Sequence, residues 1–198
     1  MVRADSDIQT LDDLSGHTVS IGAEESGTER NATQILEFAG MPSSLVATKN
    51  LDYIEATKEL KTGDIDAFFC TAGLTTTVID ELSKECAIRL IPLTDTVINK
   101  MLESSSAYTS EVIPAGTYTG QTTDISTIGV KSVLITRANV SDDTIEQLTS
   151  LLFEKEKELS YSNSLKLELT YDFATGDIPI PFHDGAKRYY ESCGYNVN

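Results

Sequence analysis

Within residues 18–82 a short apolar run twice breaks at a glycine set among hydroxyl residues and then restarts as a helix. Residues 18–21 read as a strand that stops at Gly22, and Ser26, Gly27 and Thr28 open a helix over 28–39 that ends at Gly40, with Pro42 close behind. Residues 65–70 read as a buried strand. Thr71, Ala72 and Gly73 then lead into a helix carrying Val78, Ile79 and Leu82. A strand that repeatedly hands over to a helix through a tight turn constrains the chain to an α/β fold. Two such turns from parallel strands of one sheet share the strands' C-terminal edge, where open α/β sheets bind ligands.

The remaining pattern extends this rhythm. Ile54, Ala56, Thr57 and Leu60 repeat at helical spacing over 52–62 and stop at Gly63. Residues 88–93 read as a strand and 97–102 as a helix. A turn-rich segment at 113–121 precedes a strand over 127–136. Ser141 caps a long helix expected to run to about Leu159. Leu165, Leu167 and Leu169 suggest a further helix, and a last one spans Gly185 to Gly194, with His183 as its entry residue.

Composition narrows the function classes. The chain has 198 residues, 40% hydrophobic and 23% charged, and 15 Lys+Arg against 31 Asp+Glu leave a formal charge of −16. That field repels nucleic acid and anionic headgroups, so the expected partners are small molecules and proteins. No apolar run approaches the roughly 18 residues of a membrane span, and residues 1–7 lack a signal-peptide pattern. Cys70, Cys86 and Cys193 are scattered, with only His17 and His183 beside them, which argues against a zinc site or a disulfide framework. No Gly-Lys-Ser/Thr and no spaced dinucleotide glycines occur, so neither a nucleotide nor any other cofactor is expected. A nucleophile beside a base is likewise not apparent, and no enzymatic activity is expected.

The two turns carry the candidate site. Unpaired amides at a helix N-terminus, with the positive end of its dipole, suit a carboxylate or other small anion. Gly22, Ser26, Gly27 and Thr28 are expected to supply amides and hydroxyls, with Thr71, Ala72 and Gly73 opposite and Tyr118 as a wall. The same residues also read as plain helix caps, and Tyr118 as packing. Glu24 and Glu25 sit inside the first turn. A carboxylate facing another at about 4 Å costs on the order of 4 kcal/mol through an effective dielectric near 20, more than a helix end returns. Both glutamates must therefore point away, or the solute carries an ammonium as well.

The motifs in their order resemble one family, the TAXI class of solute receptors that serve tripartite ATP-independent periplasmic (TRAP) transporters. The carriers are residues 11–23 with Ser26-Gly-Thr-Glu and 31–36, then 63–69 with Ala72-Gly-Leu, 113–121, 127–136, Ser141-Asp-Asp and 181–191 with Gly194. The resemblance runs from about Ile8 to Tyr195. Glu24-Glu25 departs from the Pro-Gly common there in that family.

That resemblance implies a type II periplasmic binding protein, in which two α/β lobes close on a small solute. It further implies an extracytoplasmic receptor for an amino acid such as glutamate or glutamine, or for a dicarboxylate, delivering to TRAP permease subunits. Residues 1–13 would be a hinge region, 14–125 a ligand-binding lobe, and 126–198 a hinge strand and C-terminal helices of the other lobe, whose first part would lie upstream. Ile145, Leu148, Leu151, Leu152 and Phe153 would then lack cover and favour a homodimer. A cytoplasmic small-molecule-sensing domain or a small transferase of the same class are the alternatives.

Overall fold

The computed structural model describes residues 1–158 and 169–198. It divides into two compact units, Met1–Gly129 and Val130–Asn198.

The first unit is built on a five-stranded sheet ordered β3-β2-β4-β1-β5, with β1 Val2–Arg3, β2 Thr18–Ser20, β3 Ala47–Lys49, β4 Ala67–Phe68 and β5 Ile88–Arg89. β2 pairs in parallel with β3 and with β4, while β1 runs antiparallel to both β4 and β5. α1 (Gly27–Phe38) connects β2 to β3 and α2 (Tyr53–Thr62) connects β3 to β4; α3 (Thr77–Glu85) leads on to β5, and α4 (Asp95–Ser104) follows it. Strand alternation sorts the core into two layers. Val19 and Ala67 pack with Ala32, Ile35, Leu36, Val97 and Met101 of α1 and α4. Phe68 packs instead with Ala56, Leu60, Ile79 and Leu82 of α2 and α3. The α/β class read from the sequence is the observed one.

Several expected elements differ. The strands over 65–70 and 88–93 shrink to β4 and β5, two residues each, although Asp66 and Phe69 beside β4 still donate to Thr18 O and Ser20 O of β2. β1 and β3 have no apolar run to announce them. Val2 is fully buried within residues 1–13, and all three residues of β3 are exposed on an edge. Tyr108–Ile113 is a strand, β6, paired with β7 (Ile125–Val130), although it is mostly exposed and polar. The strand expected over 127–136 stops at Val130. Leu134 and Ile135, 71% and 72% exposed, are apolar but have no ladder partner among the described residues.

In the second unit α5 (Asp142–Glu154) packs on α7 (Asp184–Ser192), and α6 (Tyr171–Thr175) lies between them in sequence. Ser141 caps α5 as expected, its Oγ accepting from Thr144 N at 3.1 Å, but the helix ends at Glu154. Leu159, Leu165 and Leu167 lie outside the described residues, and Leu169 is not helical. His183 is the entry residue of α7, its Nδ1 accepting from Gly185 N at 3.1 Å. Phe153 stacks on Tyr171 at 4.4 Å between centroids, and Tyr171 on Tyr195 at 5.1 Å. Of the α5 residues expected to lack cover, Ile145 is buried and Phe153 is held in this aromatic cluster, leaving Leu148 and Leu151 exposed.

Candidate functional site

The parallel register places Ser20 opposite both Lys49 and Phe68, so β2, β3 and β4 end together and their following helices all begin at one sheet edge. The sequence predicted two such junctions; the structure has three, because β3 and α2 also meet there.

At the first junction the loop is tied to itself. Gly22 adopts φ +102, and a Cβ there would lie 2.7 Å from Thr28 Cβ, so the loop and the first turn of α1 are in direct contact. Ser26 Oγ accepts from Glu29 N at 3.1 Å, a helix cap. Glu29 reaches back, one carboxylate oxygen accepting from Glu25 N at 2.6 Å and the other from Asn50 Nδ2 at 2.7 Å. Asn50 Nδ2 also donates to Gly22 O at 3.0 Å. Glu24 and Glu25 are both exposed. A Cβ at Gly27 would meet open space. The amides of Gly27 and Thr28, in the first turn of α1, have no intrahelical acceptor and take none among the described residues.

Thr28 departs from expectation. Its side chain is 5% exposed and turned inward, with Oγ1 2.6 Å from the Tyr53 hydroxyl. Tyr53 is the first residue of α2, held by the Asp52–Glu55 capping box. Its hydroxyl donates to Thr71 O at 2.9 Å and accepts from Thr71 N at 3.2 Å. With its single proton given to Thr71 O, Tyr53 receives the Thr28 hydroxyl as a donor. Asn31 Nδ2, from α1, donates to Thr71 Oγ1 at 3.2 Å. Tyr108 in turn gives its one proton to Asn31 Oδ1 at 2.9 Å, the shorter of its two contacts, with the Gln34 side-chain amide 3.2 Å from the same hydroxyl.

Thr28 and Thr71 are thus brought together through Tyr53, whereas Thr71, Ala72 and Gly73 themselves are exposed. Tyr118 is 5% exposed, packed in the core layer of α2 and α3. Burial raises the pKa of its phenol, which bonds the Thr76 and Thr75 backbone at the start of α3. The Thr76 side chain makes no cap bond, and Tyr118 serves this end of α3 as packing. Burial also pushes the Cys70 thiol up to about 11, outweighing the nearby Tyr53 side chain.

Tyr53, Asn31 and Tyr108 were missed from sequence. Asp52 with Glu55 three residues on is a capping-box signature, which would have put Tyr53 on the first turn of α2. Asn31 lies three residues after Thr28, on the same helix face. For Tyr108 there is no local signal, because its contact with α1 depends on β6.

Among the described residues no group of three His, Cys, Asp or Glu side chains is placed to hold a metal ion, and no helix is long and apolar enough to cross a membrane. The second unit carries a groove of about 540 Å³ on α5, lined by Asp143, Glu146, Leu151, Glu154 and Tyr189 among others. Its three carboxylates make it a poor receptor for an anion.

A mixed sheet whose parallel strands deliver helix N-termini to one edge defines an α/β protein. The profile of the NMT1-like family, which is periplasmic-binding-protein-like, matches residues 1–194, and the chain belongs to that family. Among solved structures the chain is similar to the periplasmic aliphatic sulphonate binding protein of Escherichia coli, at 16% identity and a TM-score of 0.47. That alignment covers 95% of this chain and 49% of the other, so the chain spans about half the length of the protein it matches.

Proposed function

We propose that this chain is part of an extracytoplasmic solute receptor that captures a small carboxylate-bearing solute and delivers it to a TRAP-type membrane permease, making and breaking no bond. The observation that carries the reading is the pair of unshared amides, Gly27 and Thr28, at an edge where three parallel strands end together. Such amides with the α1 dipole suit a carboxylate. Family membership supports a binding protein, and the motif order shared with the TAXI class supports the permease partner. Glu24 and Glu25, exposed in the same loop, favour an amino acid such as glutamate or glutamine over a plain dianion, since the solute ammonium can meet one of them. Residues 14–125 would be the ligand-binding lobe, and residues 126–198 would belong with the other lobe.

The test is thermal unfolding against amino acids, dicarboxylates and oxoacids. A ligand at 100 times its Kd adds about 2.7 kcal/mol to the native state. Gly27→Pro deletes one amide while keeping the helix, because proline suits the first helical position and Ser26 already has the extended φ −79, ψ 160 that a following proline demands. One solute should raise the unfolding temperature of the parent chain and lose that effect in Gly27→Pro. A shift that survives the substitution, or no shift with any solute, rejects the site.

A further inference from the structure

Thr71 is the node where both polar chains of this edge converge, and its bonding leaves one proton unspent. Its amide and carbonyl are both engaged by the Tyr53 hydroxyl. Its Oγ1 faces the Asn31 NH2 group, which can only donate, and the other end of that amide is fixed because Asn31 Oδ1 accepts from Tyr108. Thr71 Oγ1 is therefore an acceptor from Asn31, and its own O–H must point elsewhere. Among the described residues no acceptor takes it, and the residue is exposed.

Building on the receptor reading above, we propose that the Thr71 hydroxyl is an oriented donor to the solute carboxylate and that Tyr53 and Asn31 are its positioning residues. Tyr53 fixes the Thr71 backbone from two sides, and its third bond, from Thr28, anchors it to the first turn of α1, where the unshared amides lie. Asn31, on α1 as well, occupies the Thr71 oxygen as a donor, so the hydroxyl proton is directed away from Asn31. The Thr28 hydroxyl, which sequence assigned to the solute, is instead spent on holding Tyr53. Solute binding then uses main-chain donors from α1 and one side-chain donor from the loop after β4. Neither Tyr53 nor Asn31 touches the solute.

The experiment is titration calorimetry with L-glutamate and with succinate on the parent chain, Thr71→Val, Thr71→Ser, Tyr53→Phe and the double variant Thr71→Val/Tyr53→Phe, with circular dichroism to confirm folding. A hydrogen bond to a charged group supports about a ten-fold or larger loss in Thr71→Val, with Thr71→Ser close to the parent. Tyr53→Phe should lose affinity in the parent background and add no further loss on Thr71→Val, because it acts through that hydroxyl. Asn31→Ala, measured in the same cycle, serves if Tyr53→Phe does not fold. Unchanged affinity in Thr71→Val overturns the proposal and leaves the receptor reading standing. So does a Tyr53→Phe loss that is undiminished on Thr71→Val, which marks a general structural role. A parent chain that binds neither probe overturns the carboxylate-receptor reading, and the proposal with it.

Discussion

Replacing Gly22 by alanine tests whether the first loop is as tightly locked to α1 as its geometry requires. Gly22 sits at φ +102, where an L-residue is strained, and an added Cβ would lie 2.7 Å from Thr28 Cβ, 2.8 Å from Thr28 Cγ2 and 3.1 Å from Ser26 Oγ. The backbone strain costs about 1–2 kcal/mol and overpacking against a buried side chain about 1–3 kcal/mol, together about 2–5 kcal/mol. Thr28 cannot yield cheaply, because its hydroxyl is bonded to Tyr53 at 2.6 Å. With a urea slope of about 1–3 kcal/mol per molar, the unfolding midpoint should fall by about 1–2 M. Gly16→Ala is the control, since Gly16 has φ +81 but nothing within 4 Å of its Cβ position, so it isolates strain from contact. Urea denaturation followed by circular dichroism compares the two. Equal midpoints would refute the claim that the loop packs on Thr28.

Four further outcomes are expected. Asp52→Ala, which removes the capping box of α2, should cost about 1–2 kcal/mol in urea unfolding. Arg89→Met should cost about 2–4 kcal/mol in the same assay, because the guanidinium donates to the carbonyls of Ala4, Ser6 and Ile8 and no apolar chain can replace those bonds. Gly185→Ala should separate α5 from α7 and lower the thermal midpoint, since its Cβ would overlap the Asp142 carbonyl oxygen, far closer than van der Waals contact allows. The Cys70 thiol, raised to about 11, should react with iodoacetamide at pH 8 far more slowly than an ordinary exposed thiol. Because its folded value lies above its unfolded one, its contribution to stability is complete below about pH 9 and is lost as the pH rises towards 11, which urea midpoints across that range will show.

The helices were legible because each carries its own signal. Gly40 and Gly63 follow α1 and α2, Ser26, Asp52 and Ser141 cap their helices, and apolar residues recur at helical spacing. The parallel junctions followed from those helices and the apolar runs between them. Strand limits were not legible, since β1, β3 and β6 exist through partners distant in sequence. Residues 133–135 have strand chemistry without a ladder partner among the described residues. The candidate site was legible as a place but not as an arrangement. Gly27 and the loop at 71–73 stand at the sheet edge, yet the directions of the Ser26 and Thr28 hydroxyls depended on Glu29 and on Tyr53 from another helix.

How a chain of net charge −16 can present a site to an anion follows from the same internal bonding. Remote carboxylates act weakly across water, since the screening length at physiological salt is about 8 Å. The near ones decide. Glu29 is the acid in the first turn of α1, and both its oxygens are occupied, by Glu25 N and by Asn50 Nδ2. Ser26 and Thr28 are spent on the helix cap and on Tyr53. Glu29, Ser26 and Thr28 have thus spent their acceptors and hydroxyls on protein partners. What remains unpaired at the start of α1, among the described residues, is the main-chain N–H of Gly27 and Thr28, whose partial positive charge does not titrate and whose direction is set by the helix. Glu24 and Glu25 remain exposed on the same loop. A solute bearing both a carboxylate and an ammonium therefore has a complement for each charge, whereas one bearing only negative charge has a complement for one group and repulsion for the next.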